Sequence, residues 1–136
     1  MRNALALAGV LLLGAACGAY QFPGAPASPS TATAHVSGMV RSVPCAPVEQ
    51  AGSTCAGRPV AGLELDYVVG TSVVGRTVTN SAGLYSIDLK PATYDVNVNT
   101  YMRMISGPTR LTLGAGTRTI ADYVLDNGMR VPVPQQ

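Results

Sequence analysis

The sequence has few of the residues that most often carry chemistry. Its 136 residues include one histidine, one lysine and no tryptophan, and charged residues make up only 12% of them. One histidine and the two cysteines of the predicted domain are too few ligands for a zinc site. The basic residues are scattered singly, which argues against a nucleic-acid-binding surface. We therefore predict no metal, no cofactor and no nucleic-acid partner.

The sequence also lacks the pattern of a serine hydrolase. The single histidine, His35, lies where the predicted domain begins, and no Gly-x-Ser-x-Gly elbow occurs. Glu64 and Asp66 are spaced to share one face of a strand, as a calcium site or a glycosidase pair would require. A solvated strand face is the interpretation that we favour for them. We predict that the protein is not an enzyme.

Long apolar runs are absent except at the N-terminus. A basic start is followed by thirteen uncharged residues, 4–16, which are too few to cross a bilayer as a helix. The length, the basic flank and the small residues at the end of the run are typical of a secretory signal. We predict that residues 1–16 form a cleaved signal peptide and that the protein is exported.

Cys17 directly follows the small residues that end this run. The segment Leu13-Gly14-Ala15-Ala16-Cys17 resembles the lipobox of bacterial lipoproteins. The resemblance implies that Cys17 carries a diacylglycerol and anchors the protein to the cell membrane or the outer membrane. Its domain would then face the periplasm or the exterior. Cleavage after Ala16 by ordinary signal peptidase, giving a freely secreted protein, is the alternative.

Two further cysteines, Cys45 and Cys55, flank a loop rich in proline, glycine and serine. In an exported protein this pair predicts a disulfide bond, which would contribute about 2.5–3 kcal/mol on the loop-entropy account. The chain has three cysteines, so one disulfide bond leaves one thiol over. That one is Cys17, which supports its acylation.

Alternation of apolar and polar residues predicts an all-β domain. Residues 17–33 are uncharged and rich in Pro, Ala, Ser and Thr, which predicts a disordered linker that would span about 20–25 Å as coil. Residues 131–136 are predicted to form a disordered tail. Between them, in 34–130, the pattern predicts seven strands of a β-sandwich. The strands are 35–42, 60–69, 72–79, 84–90, 93–99, 109–113 and 117–126. The strands 84–90 and 93–99 are expected to pair as a hairpin and form one wall of the core.

Three segments carry a resemblance to a known family: Ala61-Gly62, the run from Thr79 to Leu89 that includes Gly83 and Tyr85, and Pro91-Ala92-Thr93-Tyr94-Asp95-Val96. Together they resemble the carboxypeptidase regulatory-like domain. The resemblance covers 34–130 and implies a seven-stranded, transthyretin-like Greek-key sandwich. It does not imply peptidase activity, because that activity needs zinc ligands that a chain with one histidine cannot supply.

The segment 101–105 is apolar with one charge and lies between two predicted strands. We expect it to continue the preceding strand with Tyr101 and Arg103 outward. Alternatively, Tyr101, Met102, Arg103 and Met104 contact a partner or a glycan.

Two functions follow from these patterns. The favoured one is a non-enzymatic, membrane-tethered module that acts as a structural, accessory or protein-interaction domain in the bacterial cell envelope. The alternative is a glycan- or peptide-binding surface domain, which an exposed aromatic patch at one end of the sandwich would favour.

Overall fold

The computed structural model describes residues 32–48, 52 and 54–129. The predicted signal peptide, Cys17, most of the linker and the C-terminal tail lie outside these residues. The described residues form ten strands and no α-helix, so none of them belongs to a helix that could cross a membrane. The strands are β1 (Ala34–Val43), β2 (Arg58–Pro59), β3 (Glu64–Val69), β4 (Ser72–Val78), β5 (Leu84–Leu89), β6 (Ala92–Asn99), β7 (Arg103–Ser106), β8 (Arg110–Leu113), β9 (Arg118–Ile120) and β10 (Tyr123–Asp126).

The strands form two sheets that enclose one core. One sheet has four antiparallel strands in the order β4-β3-β6-β8. The other has six and is built around the long strand β1. The first part of β1 pairs with β5 and β9, and its last part pairs with β2 and β10, to which β7 is added.

Both sheets contribute large side chains to the core. Tyr67 and Leu65 come from the four-stranded sheet, while Tyr123, Leu125 and Val36 come from the six-stranded sheet, and all five are fully buried. Their spacing by two within each strand is the period that places alternate side chains on one face of a sheet. The predicted all-β fold with two facing sheets is thus confirmed in its coarse form.

The strand assignments differ from the prediction in three places. The predicted strand 117–126 is divided into β9 and β10, and the short strands β2 and β7 are additional. The expected hairpin of 84–90 with 93–99 is wrong, because β5 pairs with β1 in one sheet while β6 pairs with β3 and β8 in the other. Their apolar residues therefore face each other across the core.

The molecule has two distinct ends. At the near end the chain enters β1, the turn between β3 and β4 lies close by, and the Gly116 amide donates to the Thr33 carbonyl over 3.2 Å. At the far end lie the end of β1, the loop between the two cysteines, the β6–β7 connection and the end of β10. The described chain therefore enters at one end and finishes at the other.

Candidate functional site

The outer face of the six-stranded sheet carries a group of three apolar side chains, two of them exposed and one half-buried. Met39 lies opposite Leu84 on β5, and Ile120 on β9 lies beside Ser37, two residues before Met39. Ile120 is 78% exposed and Leu84 is 43% exposed. We call Met39, Leu84 and Ile120 the apolar patch. It surrounds a shallow depression that Gly38, Arg41, Tyr85 and Asp122 also line.

The depression lies where β9 ends and β10 has not yet begun, between Ile120 and Asp122. Between them the Ala121 carbonyl lies directly over Gly38, and the buried Tyr85 hydroxyl donates a hydrogen bond to it. A Cβ atom on residue 38 would overlap that carbonyl oxygen. The Asp122 carboxylate accepts a hydrogen bond from the Met39 amide over 2.8 Å. At the point where β9 and β10 are interrupted, this amide is therefore bonded to a side chain.

Charges of both signs border the patch. His35 Nδ1 lies 2.7 Å from Asp88 Oδ1, and Arg118 stands beside His35 on β9. On the other side, Arg41 Nη1 donates to the Ala56 carbonyl over 3.2 Å, while its buried Nε finds no partner among the described residues. The His35 side chain, at the start of β1, is 42% exposed and engaged with Asp88.

The outer face of the four-stranded sheet is different, because its charged side chains bind one another. Arg76 Nε lies 2.6 Å from Asp66 Oδ1 and 3.3 Å from Glu64 Oε1. The Asn99 amide donates to both carboxylates over 2.9 Å. The hydrogen bonds from Arg76 and then from Asn99 lower the pKa of Asp66 below its ordinary value.

The burial of Asp66 differs from what the sequence indicates. It was expected to be solvated, but it is 7% exposed because the Arg76 and Asn99 side chains cover it. Farther along the same face, Arg110 Nε lies 2.8 Å from Asp95 Oδ1, and this bond lowers the pKa of Asp95. These paired charges share the sheet with the exposed valines Val73, Val74 and Val78 of β4, so its surface is mixed in character.

The predicted contact segment lies at the far end. Tyr101 is 94% exposed, whereas Met102 and Met104 pack against the core. Arg103 Nη2 donates to Asp126 Oδ2 over 3.3 Å. Tyr101 and Arg103 do point outward, but the expected continuation of the preceding strand is wrong. Strand β6 ends at Asn99, and β7 pairs with β10 in the other sheet.

The structure confirms the predicted bond between Cys45 and Cys55, whose Cα atoms are 5.7 Å apart. It closes the loop at the far end, next to the end of β1.

Three buried tyrosines lie in the core beneath the apolar patch, Tyr67 from the four-stranded sheet and Tyr85 and Tyr123 from the six-stranded sheet. The rings of Tyr85 and Tyr123 have centroids 6.3 Å apart, and the Tyr67 ring lies edge-on to Tyr94 at 6.2 Å. Burial raises the pKa of Tyr67 to about 12, and it also raises the pKa values of Tyr85 and Tyr123. The neutral phenols are therefore part of the core.

The sequence interpretation did not identify the apolar patch. One signal was present: a glycine inside a strand indicates close approach of another backbone segment, and Gly38 is such a residue. The exposure of Ile120 had no signal, because it depends on where the strand is interrupted. Within the described residues, no group of three or more histidine, cysteine, aspartate or glutamate side chains is placed to hold a metal ion.

No protein-family model matches the chain, and no curated protein shows significant similarity to it. The resemblance to carboxypeptidase regulatory-like domains accordingly stays a prediction drawn from the three segments that carry it.

Proposed function

We propose that this protein is an exported, non-enzymatic β-domain that is tethered to a membrane of the bacterial cell envelope and acts there as an accessory or protein-interaction module. The observation that carries the proposal is the Cys45–Cys55 disulfide bond. Disulfides persist in oxidising compartments and are rare in the cytosol. The bond therefore supports export, and it leaves Cys17 as the remaining thiol of the chain.

The two-ended layout of the domain supports the tether. The chain enters at the near end, so a lipid on Cys17 would hold that end toward the membrane. The far end, with Tyr101 and the disulfide loop, would face away from it. For the fine topology we adopt the seven-stranded Greek-key arrangement that the family resemblance implies, with β9 and β10 counted as one strand and β2 and β7 as additions.

The mature N-terminus tests the proposal directly. We expect mass spectrometry of the protein purified from membranes to show that residues 1–16 are absent and that Cys17 carries a diacylglycerol. The Cys17→Ser variant should lose the lipid and leave the membrane fraction. An unmodified Cys17, or a chain that retains Met1, would contradict the tether. A disulfide that is reduced in the cell would contradict export.

A second candidate is a glycan- or peptide-binding surface domain. The observation that favours it is Tyr101, which is 94% exposed at the far end, two residues along the chain from Arg103, whose side chain is 77% exposed. Exposed aromatic rings with a polar edge are common in binding sites. Screening against glycan and peptide arrays should then give a signal that Tyr101→Ala abolishes. The matched change Ile105→Ala, at a residue 51% exposed on the same segment, should preserve it.

A further inference from the structure

Among the described residues, strand β4 is the longest strand at an open sheet edge. It has seven residues, whereas β5 has six and the other edge strands, β2, β7, β8 and β9, have four or fewer. Proteins usually keep edges from pairing by making them short or by placing lysine or proline on them. Strand β4 has neither residue, and its one charged side chain, Arg76, is bound by Asp66. The bulge against β3 involves Val73 and Val74 and leaves the second half of β4 regular.

The backbone groups of Arg76 and Val78 point away from β3. The Thr79 amide donates over 2.9 Å to the carbonyl of the residue that precedes β3, and bonded pairs recur at every second residue of an antiparallel ladder. The bonded residues of β4 are therefore Thr77 and Gly75, which alternate with Arg76 and Val78. Within the part of the chain that the structure describes, no strand lies on the other side of β4. The N–H and C=O groups of Arg76 and Val78 are thus available to a further strand.

The neighbouring edge strand, β5, is different because several of its outward groups are bonded within the chain. The Leu84 amide donates to Asn80 Oδ1 over 3.0 Å, and the Leu84 carbonyl accepts the Asn80 amide over 2.9 Å. The Ser86 carbonyl accepts the Thr77 hydroxyl of β4 over 3.0 Å. Of the two edges on this side of the sandwich, β4 is therefore the open one.

Two depressions adjoin the inner side of β4. One, of about 310 Å³, lies between β4 and β5 beside Thr77 and Ser86. The other, of about 580 Å³, lies at the near end beside Val74, and its lining is mostly apolar, with Leu89 and Pro91 among its residues. When a peptide adds a strand to a sheet edge, its backbone supplies affinity and its alternate side chains enter pockets of this kind.

We propose that the free edge of β4 binds an extended segment of a partner protein. The segment adds a fifth strand to the four-stranded sheet, with its backbone bonded to Arg76 and Val78 and an apolar side chain in the near-end depression. The proposal rests on the protein-interaction role proposed above and names the class of partner.

A second copy of β4 matches this edge less well. The inward residues of β4 are Gly75 and Thr77, because a Cβ atom on Gly75 would meet the Leu89 and Ile87 side chains of β5 and the Thr77 hydroxyl is bonded to β5. Neither residue brings a large apolar side chain to the near-end depression. A partner segment with such a residue at an inward position would fill it.

The test is a selection of phage-displayed random peptides of about nine residues, slightly longer than the strand, against the purified full chain. Enriched peptides should share an apolar residue at a fixed position. In a synthetic copy of the best one, amides are methylated one at a time and binding is measured by calorimetry. Affinity should fall about tenfold at every second position and little between, because only alternate N–H groups of an added strand face β4.

Variants of the protein locate the site. Val78→Pro removes an outward N–H and no bond to β3, so it should weaken peptide binding about tenfold, whereas Val78→Ala keeps that N–H and should bind normally. Thr112→Pro is the matched control at the opposite edge, because Thr112 alternates with the bonded residues Leu111 and Leu113 of β8. It should leave binding unchanged. The methylation scan leaves the protein unaltered and decides the case if Val78→Pro does not fold.

Selection of no peptide, or losses of affinity without a two-residue period, would overturn the proposal. Binding that survives Val78→Pro, or that Tyr101→Ala abolishes, would also overturn it, because the site would then lie elsewhere. A dimer that is seen by sedimentation velocity and lost in Val78→Pro would replace the partner segment by a second copy. An unmodified Cys17 would contradict the tether and leave the peptide results unchanged, so the two proposals fail separately.

Discussion

Gly38 is constrained by a neighbouring carbonyl group and not by its own backbone angles. It lies in β1 with ordinary strand geometry, since it is not among the glycines of positive φ. The space for a side chain is taken by the Ala121 carbonyl, which also accepts the Tyr85 hydroxyl. A Cβ atom at this position would therefore push β1 away from the junction between β9 and β10.

Gly38→Ala should lower the free energy of unfolding by about 1–3 kcal/mol, the usual cost of forcing an extra carbon into a packed site. Urea denaturation measures the difference. Gly114→Ala is the control, because the nearest atom to its added carbon would be the Thr117 Cγ2 methyl at 3.1 Å, the end of a side chain. Equal losses in the two variants would show that the Ala121 carbonyl is not what requires glycine.

Two buried tyrosines should respond differently to loss of the hydroxyl. Tyr85→Phe leaves the Ala121 carbonyl without its phenol donor and should cost about 1–2 kcal/mol. The Tyr67 hydroxyl is buried without a well-aligned partner, so Tyr67→Phe should be close to neutral or stabilising. Thermal or urea unfolding of both variants checks the contrast, and a larger loss in Tyr67→Phe would contradict it.

At the scale of strands, the interruption between β9 and β10 shows where pattern analysis stops. The alternation of apolar residues in 117–126 correctly indicates β structure. It does not reveal that the chain shifts at Ala121 and Asp122, because the cause is in β1: the Met39 amide is bonded by the Asp122 carboxylate. Likewise, the sequence of Arg103 to Ser106 allows a strand but does not say which sheet it joins.

The core could be predicted further than the site. Val36, Leu65, Tyr67 and Val96 lie in predicted strands, follow the two-residue period and are buried. The apolar patch combines residues from β1, β5 and β9, and no local pattern specifies that these strands are neighbours. The order of strands in the sheet thus determines which side chains meet on the surface. Local alternation determines only which side chains can be buried.

The ion pair between Asp66 on β3 and Arg76 on β4 should make the free energy of unfolding depend on pH in the acid range. The pKa of Asp66 is lowered from 3.8 in the folded protein, so its contribution is fully present above that value. The contribution is lost as pH falls below 3.8 toward the folded pKa. Asp66→Asn should be less stable than the unaltered protein at neutral pH and should lose less stability across this acid range.

Urea denaturation as a function of pH measures the effect. Arg76→Gln removes the principal partner of Asp66 and should flatten the same part of the profile. An unchanged acid profile in both variants would contradict the assignment. Asp95, bound to Arg110, contributes separately and is unaffected by either change.

At the scale of the whole molecule, the core between the two sheets contains the uncharged side chains of Tyr67, Tyr85 and Tyr123. Burial raises the pKa of Tyr67 to about 12, and it raises the pKa values of Tyr85 and Tyr123 as well. The native state therefore binds protons that the unfolded chain releases near pH 10. The stability from these protonated groups is complete below pH 10 and should fall as pH rises toward 12.

Alkaline titration followed by the ultraviolet absorbance of tyrosinate tests this prediction. The buried phenols should ionise together with loss of tertiary structure, seen by near-ultraviolet circular dichroism. Tyr101→Phe is a useful control, because Tyr101 is 94% exposed and lies outside this buried group. It should leave the alkaline transition largely in place. Ionisation of every tyrosine while the fold persists would contradict the prediction.

The pairing of the first strand with the last has a mechanical consequence. Strand β10 runs parallel to β1, with Val40 beside Tyr123 and Val43 beside Asp126. If the N-terminal side were held at a membrane and the C-terminal side were pulled away, the two strands would slide along each other. The bonds between them would share the load and have to break together instead of opening one by one. A domain built this way resists stretching between its two ends.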